Sequence, residues 1–198
     1  MSSGNGSRDI RHNISFSLLY DLPIGPGRAF FGHTSGVVGQ LLGGWQVNGL
    51  GILRTGIAQT VELGGDSPSG NGNTINQRPD RVAGVSSLPA KRSIDQWLNP
   101  AAFAEPRPGT FGNLGRNTER GPGFAQFDFS LLKTTKLDER KRLQFRAEFF
   151  NVPNHPNFAV PSAVFHNTTT FGKVLNTFGR TIAFGTPRQI QFGLKFLF

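Results

Sequence analysis

The sequence predicts an all-β fold, built as an antiparallel meander of about five long strands. Composition favours strands and loops over helices, because the 198 residues include 26 glycines and 19 phenylalanines but only one methionine. The chain is 36% hydrophobic and 17% charged, which excludes a charge-rich disordered tail. It has no cysteine, so disulfides and thiol chemistry are excluded as well.

Apolar and polar residues alternate in five segments, which is the pattern of a strand with one apolar face. The segments span residues 11–21, 42–54, 125–136, 142–151 and 188–198. In the first segment, Phe16 and Leu18 share one face and serines occupy the other. The second segment changes phase beside Gly49 and Gly51, which predicts a β-bulge there.

The connections between these segments differ in length. The links at 22–41 and 137–141 are the shorter ones, whereas residues 57–124 and 152–187 form two long stretches. Loops of this length are uncommon in compact domains, but membrane barrels combine short periplasmic turns with long extracellular loops. With Phe198 placed in the periplasm, both long connections become extracellular and both shorter links become periplasmic.

The first long connection contains two local patterns. Residues 66–76 are rich in Ser, Gly and Asn and are predicted to be mobile. Residues 93–98 are predicted to form a short helix, with Ser93 as its N-cap and Gln96 completing a capping box. Asn99-Pro100 is expected to end that helix.

The polar faces of the strands carry many charges. The candidates to face the lumen of a barrel are Asp128, Gln144, Arg146, Glu148 and Lys195. They have two interpretations: a wall that contacts a plug or a solute, or mutual charge pairing across neighbouring strands, which we favour. A polar face opposite a Phe-rich one is typical of a wide transmembrane barrel. The sequence therefore predicts an open segment of such a barrel, with Tyr20, Trp45 and Phe198 at the headgroup level.

The last eight residues resemble the C-terminal assembly signal of bacterial outer-membrane proteins. The elements of this signal are Gln191, Gly193, Phe196 and Phe198. In proteins of that kind, the barrel-assembly machinery reads the signal as an edge strand, by strand addition. The resemblance implies that this machinery is a partner of the chain.

Motifs spread over nearly the whole chain resemble the C-terminal barrel region of Oar-like TonB-dependent receptors. They are GGWQ at 43–46, RPDR at 78–81, WLNPAAF at 97–103, GTFGNLGRN at 109–117, GPG at 121–123, LQFRAEFFN at 143–151, NHPNF at 154–158 and RQIQFG at 188–193. The resemblance implies a barrel of about 22 strands with a plugged lumen. It also implies location in the outer membrane and transport of a solute with energy from the inner membrane.

On this resemblance, residues 1–198 are expected to be a C-terminal fragment of a longer receptor, with the plug and the earlier strands outside the chain. Five strands do not close a barrel, and an open edge in lipid leaves backbone groups unpaired. The chain alone is therefore not expected to transport anything. Its expected partners are outer-membrane lipid, the barrel-assembly machinery and the remaining parts of the receptor.

No sequence feature predicts an enzyme, a cofactor or a metal site. The four histidines lie far apart and lack metal-ligand spacing: His12, His33, His155 and His166. The sequence Asn-His-Pro-Asn around His155 is expected to form a structural turn. The net charge of +9 is spread along the chain, so nucleic-acid binding is not predicted. The alternative to a receptor is a secreted, soluble β-sandwich binding protein whose Phe-rich faces pack together.

Overall fold

A computed structural model describes residues 9–65, 77–179 and 185–198. The segment 66–76, which is predicted to be mobile, lies outside the described residues. The chain divides into two compact units. We call them the sheet unit, whose described residues are 14–53, 125–156 and 185–198, and the loop unit, whose described residues are 9–13, 54–65, 77–124 and 157–179.

Strands dominate the described part of the chain. In chain order the elements are β1 (Asn13–Asp21), α1 (Gly36–Leu42), β2 (Trp45–Arg54), β3 (Ala58–Gln59), β4 (Asp80–Arg81), a 3-10 turn (Pro100–Ala102), β5 (Phe103–Ala104), β6 (Glu119–Arg120), β7 (Phe124–Lys136), β8 (Arg142–Phe150) and β9 (Gln189–Leu197). Within the described ranges, no helix is both long enough and apolar enough to cross a membrane.

The five long strands form one antiparallel sheet in the order β1-β2-β7-β8-β9. Consecutive long strands are therefore neighbours, as in a meander. At the β1–β2 pair, the amide of Leu22 donates to the carbonyl of Trp45 at 2.9 Å, and the amide of Thr55 donates to the carbonyl of His12 at 3.0 Å. The predicted fold class and all five predicted strands are confirmed, because each of the five long strands coincides with a predicted segment to within a few residues at its ends.

The register places the apolar side chains of β7, β8 and β9 on one face. Phe145 of β8 lies opposite Lys133 of β7 and Leu194 of β9, and its ring stacks on that of Phe192 with the centroids 6.1 Å apart. This face is not buried, since Leu194 is 71% exposed. A soluble sandwich would bury such a face against a second sheet, so the exposure argues against the soluble alternative.

The phase change in β2 does not arise from a bulge. The side-chain amide of Asn48 donates to the hydroxyl of Ser130 at 3.1 Å, on the polar face. Gly51 lies on the apolar face, where a Cβ would be 2.1 Å from the ring of Phe16. Glycine leaves room for that ring to cover the backbone. The alternation therefore continues unbroken through β2, and it places Leu50 on the polar face.

The two long connections share a hydrophobic core in the loop unit. Its buried residues are Val61, Leu98, Ala102, Phe103, Leu114 and Phe171. The rings of Phe103 and Phe171 meet edge to face with their centroids 5.6 Å apart. Two short antiparallel pairs, β3–β6 and β4–β5, belong to the same unit. The described parts of these connections therefore form a packed unit rather than extended loops.

Residues 93–98 do not form the predicted helix. Ser93 and Gln96 instead exchange two backbone hydrogen bonds of 3.2 and 3.3 Å, and the Ser93 hydroxyl also accepts from the Gln96 amide at 3.1 Å. The amide of Trp97 donates to the carbonyl of Gly172 at 2.7 Å. Tertiary packing thus takes an amide that a helix would use internally, and the local capping pattern yields only a bend.

Asn99 begins a helical turn rather than ending one. Its side-chain oxygen accepts from the amide of Ala101 at 3.2 Å, which caps the 3-10 turn Pro100–Ala102. Its side-chain nitrogen donates to the carbonyl of Ser86 at 2.9 Å. Proline suits the first position of a helical turn, where no amide donor is needed. The same two residues that we predicted as a stop signal therefore act as a start signal.

Candidate functional site

β9, which carries the predicted assembly signal, lies at one edge of the sheet. Within the described chain it pairs with β8 and with no other strand, and Gln191 lies opposite Glu148 in that pair. Phe196 is exposed, and Phe198 beyond the end of the strand is 94% exposed. An edge strand with free backbone groups and exposed aromatic rings has the features needed for strand addition.

The residues predicted to face a lumen share the polar face of the sheet. Gln144 lies opposite Lys195, and Arg146 lies opposite Gly193. The ion pair on this face runs along β8, with the Arg146 guanidinium 3.7 Å from the Glu148 carboxylate. It is not the cross-strand pair that we favoured. Because Arg146 is half exposed, water screens this pair and its contribution to stability is small.

Asp128 lies on the same face and holds the end of β8. Its carboxylate accepts from the amide of Asn151 at 2.8 Å and from the side chain of Gln126 at 2.8 and 2.9 Å. Asn151 is fully buried and has a φ of 49°. Its side chain donates to the carbonyls of His155 and Thr186 at 2.9 and 2.8 Å, and accepts from the His155 amide at 3.0 Å. His155 thus contributes its backbone to a structural turn.

The polar face also carries an apolar patch that sequence reasoning missed. Leu19, which is 68% exposed, and Leu50 lie on this face of β1 and β2. Together with Phe150 they line a shallow depression of about 370 Å³ that also reaches Glu148. We call Leu19, Leu50 and Phe150 the lumen patch. The sequence did contain a signal for this patch. Each of the three apolar residues lies at a position in its strand where the alternation places mainly polar residues.

The loop unit has a depression of its own, of about 640 Å³. Phe165 and Phe171 contribute aromatic walls, and His166 and Glu105 contribute polar groups. Nε2 of His166 lies 2.9 Å from Oε2 of Glu105. Sequence reasoning missed this pair because the two residues are 61 positions apart. In the described ranges, no group of three or more His, Cys, Asp or Glu side chains is placed to hold a metal ion.

Two of the motifs interlock inside the loop unit. The carboxylate of Asp80 accepts from the amide of Asn113 at 2.8 Å, and the side-chain oxygen of Asn113 accepts from the amide of Arg81 at 2.8 Å. The Arg81 guanidinium pairs with the buried carboxylate of Glu119 at 2.8 Å. A Cβ at Gly112 would lie 1.9 Å from the carbonyl oxygen of Arg78, so this position requires glycine. These motif residues hold the unit together.

An antiparallel meander with an exposed apolar face and a charged opposite face is a segment of a transmembrane β-barrel. The chain belongs to the family described as outer membrane beta barrel domain, whose model matches residues 1–191. The protein is therefore located in the outer membrane. Neither a curated protein nor a solved structure matches the chain.

Proposed function

We propose that this chain supplies the C-terminal strands of a TonB-dependent receptor, which transports a solute through a plugged barrel and performs no catalysis. The observation that carries the proposal is the lumen patch on the polar face of the sheet. The Oar-like motifs, which extend over most of the chain, support it independently. The plug and the other strands of the barrel are the expected partners of this face.

The lumen patch supports the proposal of an occupied lumen over that of a water-filled one. Leu19 and Leu50 are exposed in the sheet unit, and the lumen of an open channel is polar. Exposed apolar side chains beside charged ones such as Glu148 are typical of surfaces that bind protein. A plug domain that packs on this face would cover the patch and leave the surrounding charges hydrated or paired.

The strand order gives the proposed sidedness. With Phe198 in the periplasm, the β2–β7 and β8–β9 connections both leave the extracellular end of an antiparallel sheet. These connections supply most of the loop unit, which then belongs to the extracellular side of the protein. The aromatic walls of its depression and the pair of His166 and Glu105 suit a solute that combines apolar faces with hydrogen-bonding groups.

Thiol labelling of the full-length protein in intact cells tests the plugged lumen. The chain has no cysteine, so Leu50→Cys can be labelled selectively with a membrane-impermeant maleimide once any cysteines elsewhere in the protein are replaced. Arg107→Cys, at an exposed position in the loop unit, is the control. We expect Leu50→Cys to react at least about tenfold more slowly, because thiol reactivity requires access. Equal rates would indicate an open channel and would contradict the proposal.

Energy coupling is tested by repeating the labelling with a protonophore. If the plug moves when energy arrives from the inner membrane, Leu50→Cys reacts faster in energised cells than in de-energised ones, while Arg107→Cys reacts equally in both. If Leu50→Cys is labelled slowly and the labelling rate is the same with and without the protonophore, a plug covers this position but does not respond to energy from the inner membrane. That result would contradict TonB-dependent transport.

We also propose that the barrel-assembly machinery recognises β9. The substitution Phe198→Ala in the full-length protein is expected to lower the amount of folded protein in the outer membrane. Leu197→Ala is the matched control, because Leu197 lies on the opposite face at the end of the same strand. The readout is the heat-sensitive folded band on an electrophoresis gel. If the amount of folded protein is the same for Phe198→Ala as for the unmodified protein, β9 does not act as the assembly signal.

A further inference from the structure

The connection between β1 and β2, residues 22–44, is a folded element that contains α1. Gly39 of α1 is buried, and a Cβ at this position would lie 2.7 Å from the ring of Pro26. Gly25 has a φ of 109°, and a Cβ there would lie 2.4 Å from the Cα of Gly43. The connection thus packs against itself at backbone distance. Periplasmic connections in membrane barrels are usually short turns, so this element is larger than reversal of the chain requires.

The C-terminal end of α1 is tied to the apolar, lipid-facing side of the sheet. Lys133 lies opposite Phe145, on the apolar face of β7, yet its side chain is buried. Its ammonium donates to the carbonyls of Gln40 and Gly43. These carbonyls belong to the last turn and the cap of α1, where intrahelical donors are lacking. The lysine therefore supplies hydrogen-bond donors to the carbonyls at the C-terminal end of α1, beside the lipid-facing surface.

Trp45 provides a second link from α1 to the same side. Its indole nitrogen donates to the carbonyl of Leu41 at 3.0 Å, and the Lys133 ammonium lies 5.3 Å from its ring centroid. Tyr20 lies at the same end of the neighbouring strand, since Leu22 bonds to Trp45 across β1 and β2. Tryptophan and tyrosine at one end of adjacent strands are typical of the headgroup level of a membrane.

The rest of the connection exposes an apolar surface that we call the rim patch. Its exposed residues are Phe30, Phe31, Val37, Val38 and Leu41. Val37, Val38 and Leu41 share one face of α1, because Leu41 lies four positions after Val37 and three after Val38. Between residues 22 and 44 the only ionisable side chains are Arg28 and His33, and there is no acidic residue. An apolar surface with basic and no acidic neighbours matches an anionic lipid surface.

We propose that α1 and the rim patch lie in the headgroup region of the outer membrane and anchor the rim of the barrel, at the ends of its strands, to phospholipid. Lys133 and Trp45 connect the element that carries the rim patch to the lipid-facing surface of the sheet. A membrane that covers this surface of the sheet therefore also reaches the rim patch. In the orientation proposed above, this is the periplasmic leaflet. Only the identity of the leaflet rests on that orientation.

The test measures the depth of α1 in a bilayer. The full-length protein carries a nitroxide on Val38→Cys and is reconstituted in vesicles of phosphatidylethanolamine and phosphatidylglycerol. Gln40→Cys, exposed on another face of the same helix, is the matched control. We expect the label at Val38 to lie about 5–10 Å below the headgroup boundary. Its ratio of oxygen to nickel-complex accessibility should be several-fold higher than that of the label at Gln40.

Two results would overturn the proposal. High accessibility of the Val38 label to the nickel complex would place α1 in water. Protection of that label from both oxygen and the nickel complex would place the rim patch under protein. The heat-sensitive folded band confirms that both variants form the barrel. Because Leu50 and Val38 report on opposite sides of the sheet, failure of the lipid anchor and failure of the plugged lumen give different results.

Discussion

The phenylalanines on the long strands and those in the core of the loop unit are placed in opposite ways. In the sheet unit, Phe16 and Phe192 are exposed along the apolar face of the strands. In the loop unit, Phe103 and Phe171 are buried in a core and contact each other edge to face. The difference matches the media that the two groups of rings meet, because exposed rings are stable in lipid, whereas burial of apolar rings is favourable in water.

Charged residues show the complementary contrast. In the loop unit, the carboxylate of Glu119 is buried and paired with Arg81. In the sheet unit, Arg146 and Glu148 lie on a surface, 3.7 Å apart along one strand. A buried charge requires a partner, whereas Arg146 and Glu148 remain partly exposed to solvent on the lumen face of the sheet. The following predictions test this contrast, starting with the largest expected effect.

Leu98→Ala is expected to destabilise the loop unit by about 2–5 kcal/mol, because Leu98 is fully buried and its removal leaves a cavity. Leu194→Ala on the apolar face should cost about 2 kcal/mol or less, since lipid fills the space and no cavity forms. Hydrogen exchange of the full-length protein in vesicles measures the loss of stability separately for the loop unit and the sheet unit. Equal losses would mean that the two units do not differ in their surroundings.

Phe145→Arg is expected to cost about 2–4 kcal/mol of folding free energy, as arginine does on the lipid face near the middle of a bilayer. Gln144→Arg, one residue away on the polar face, should change the free energy by no more than about 1 kcal/mol. Urea titrations of the folded protein in vesicles measure both. A larger penalty for Gln144→Arg would reverse the assignment of the two faces.

Glu119→Ala is expected to destabilise the loop unit by about 1–3 kcal/mol, because it removes a charge-assisted hydrogen bond to Arg81 at a buried position. Arg81→Ala should then add little in the Glu119→Ala background, since the pair is already broken. A double-mutant cycle on the unfolding free energy measures this coupling. Additive losses would show that the two side chains act independently.

The smallest effect is expected at Asp138, in the turn between β7 and β8. The amides of Lys141 and Arg140 donate to its carboxylate at 2.7 and 2.9 Å and hold its pKa below the ordinary value. The ionised carboxylate therefore stabilises the folded state above the ordinary aspartate pKa of about 3.9, and this stabilisation fades as the pH falls below it.

Asp138→Asn is expected to remove that dependence on pH. The difference in melting temperature between the native protein and this variant should shrink between about pH 5 and pH 2. Glu139→Gln, in the same turn, is the matched control. A difference that stays constant with pH would show that the carboxylate gains nothing from its two amide donors.

The strands could be predicted from the sequence because alternation is a local pattern. Leu143 to Phe149 alternates without interruption, and β8 appears where the pattern predicts it. The bulge at Gly49 and Gly51 was predicted wrongly, because the pattern records only which residues are apolar. Glycine lies on the apolar face here to admit the ring of Phe16, a contact between two strands that a single segment does not contain.

The candidate site was predictable only in part. The residues of the polar face follow from alternation, but their partners do not: Asp128 accepts hydrogen bonds from Asn151 and Gln126, and Arg146 forms an ion pair with Glu148 of its own strand. The pair of His166 and Glu105 joins two long connections. Partners so far apart in sequence are set by how the chain folds back, for which one sequence gives no local signal.

The sequence by itself determined the all-β class, the five strands and the separation of an apolar face from a charged one. These follow from side chains that alternate with a period of two along each strand. Only the tertiary structure decided that the two long connections share one core around Leu98, that the helix predicted at 93–98 gives way to a bend, and that Lys133 caps α1. Each of these depends on contacts between distant segments, whose energies outweigh the local preferences of short peptides.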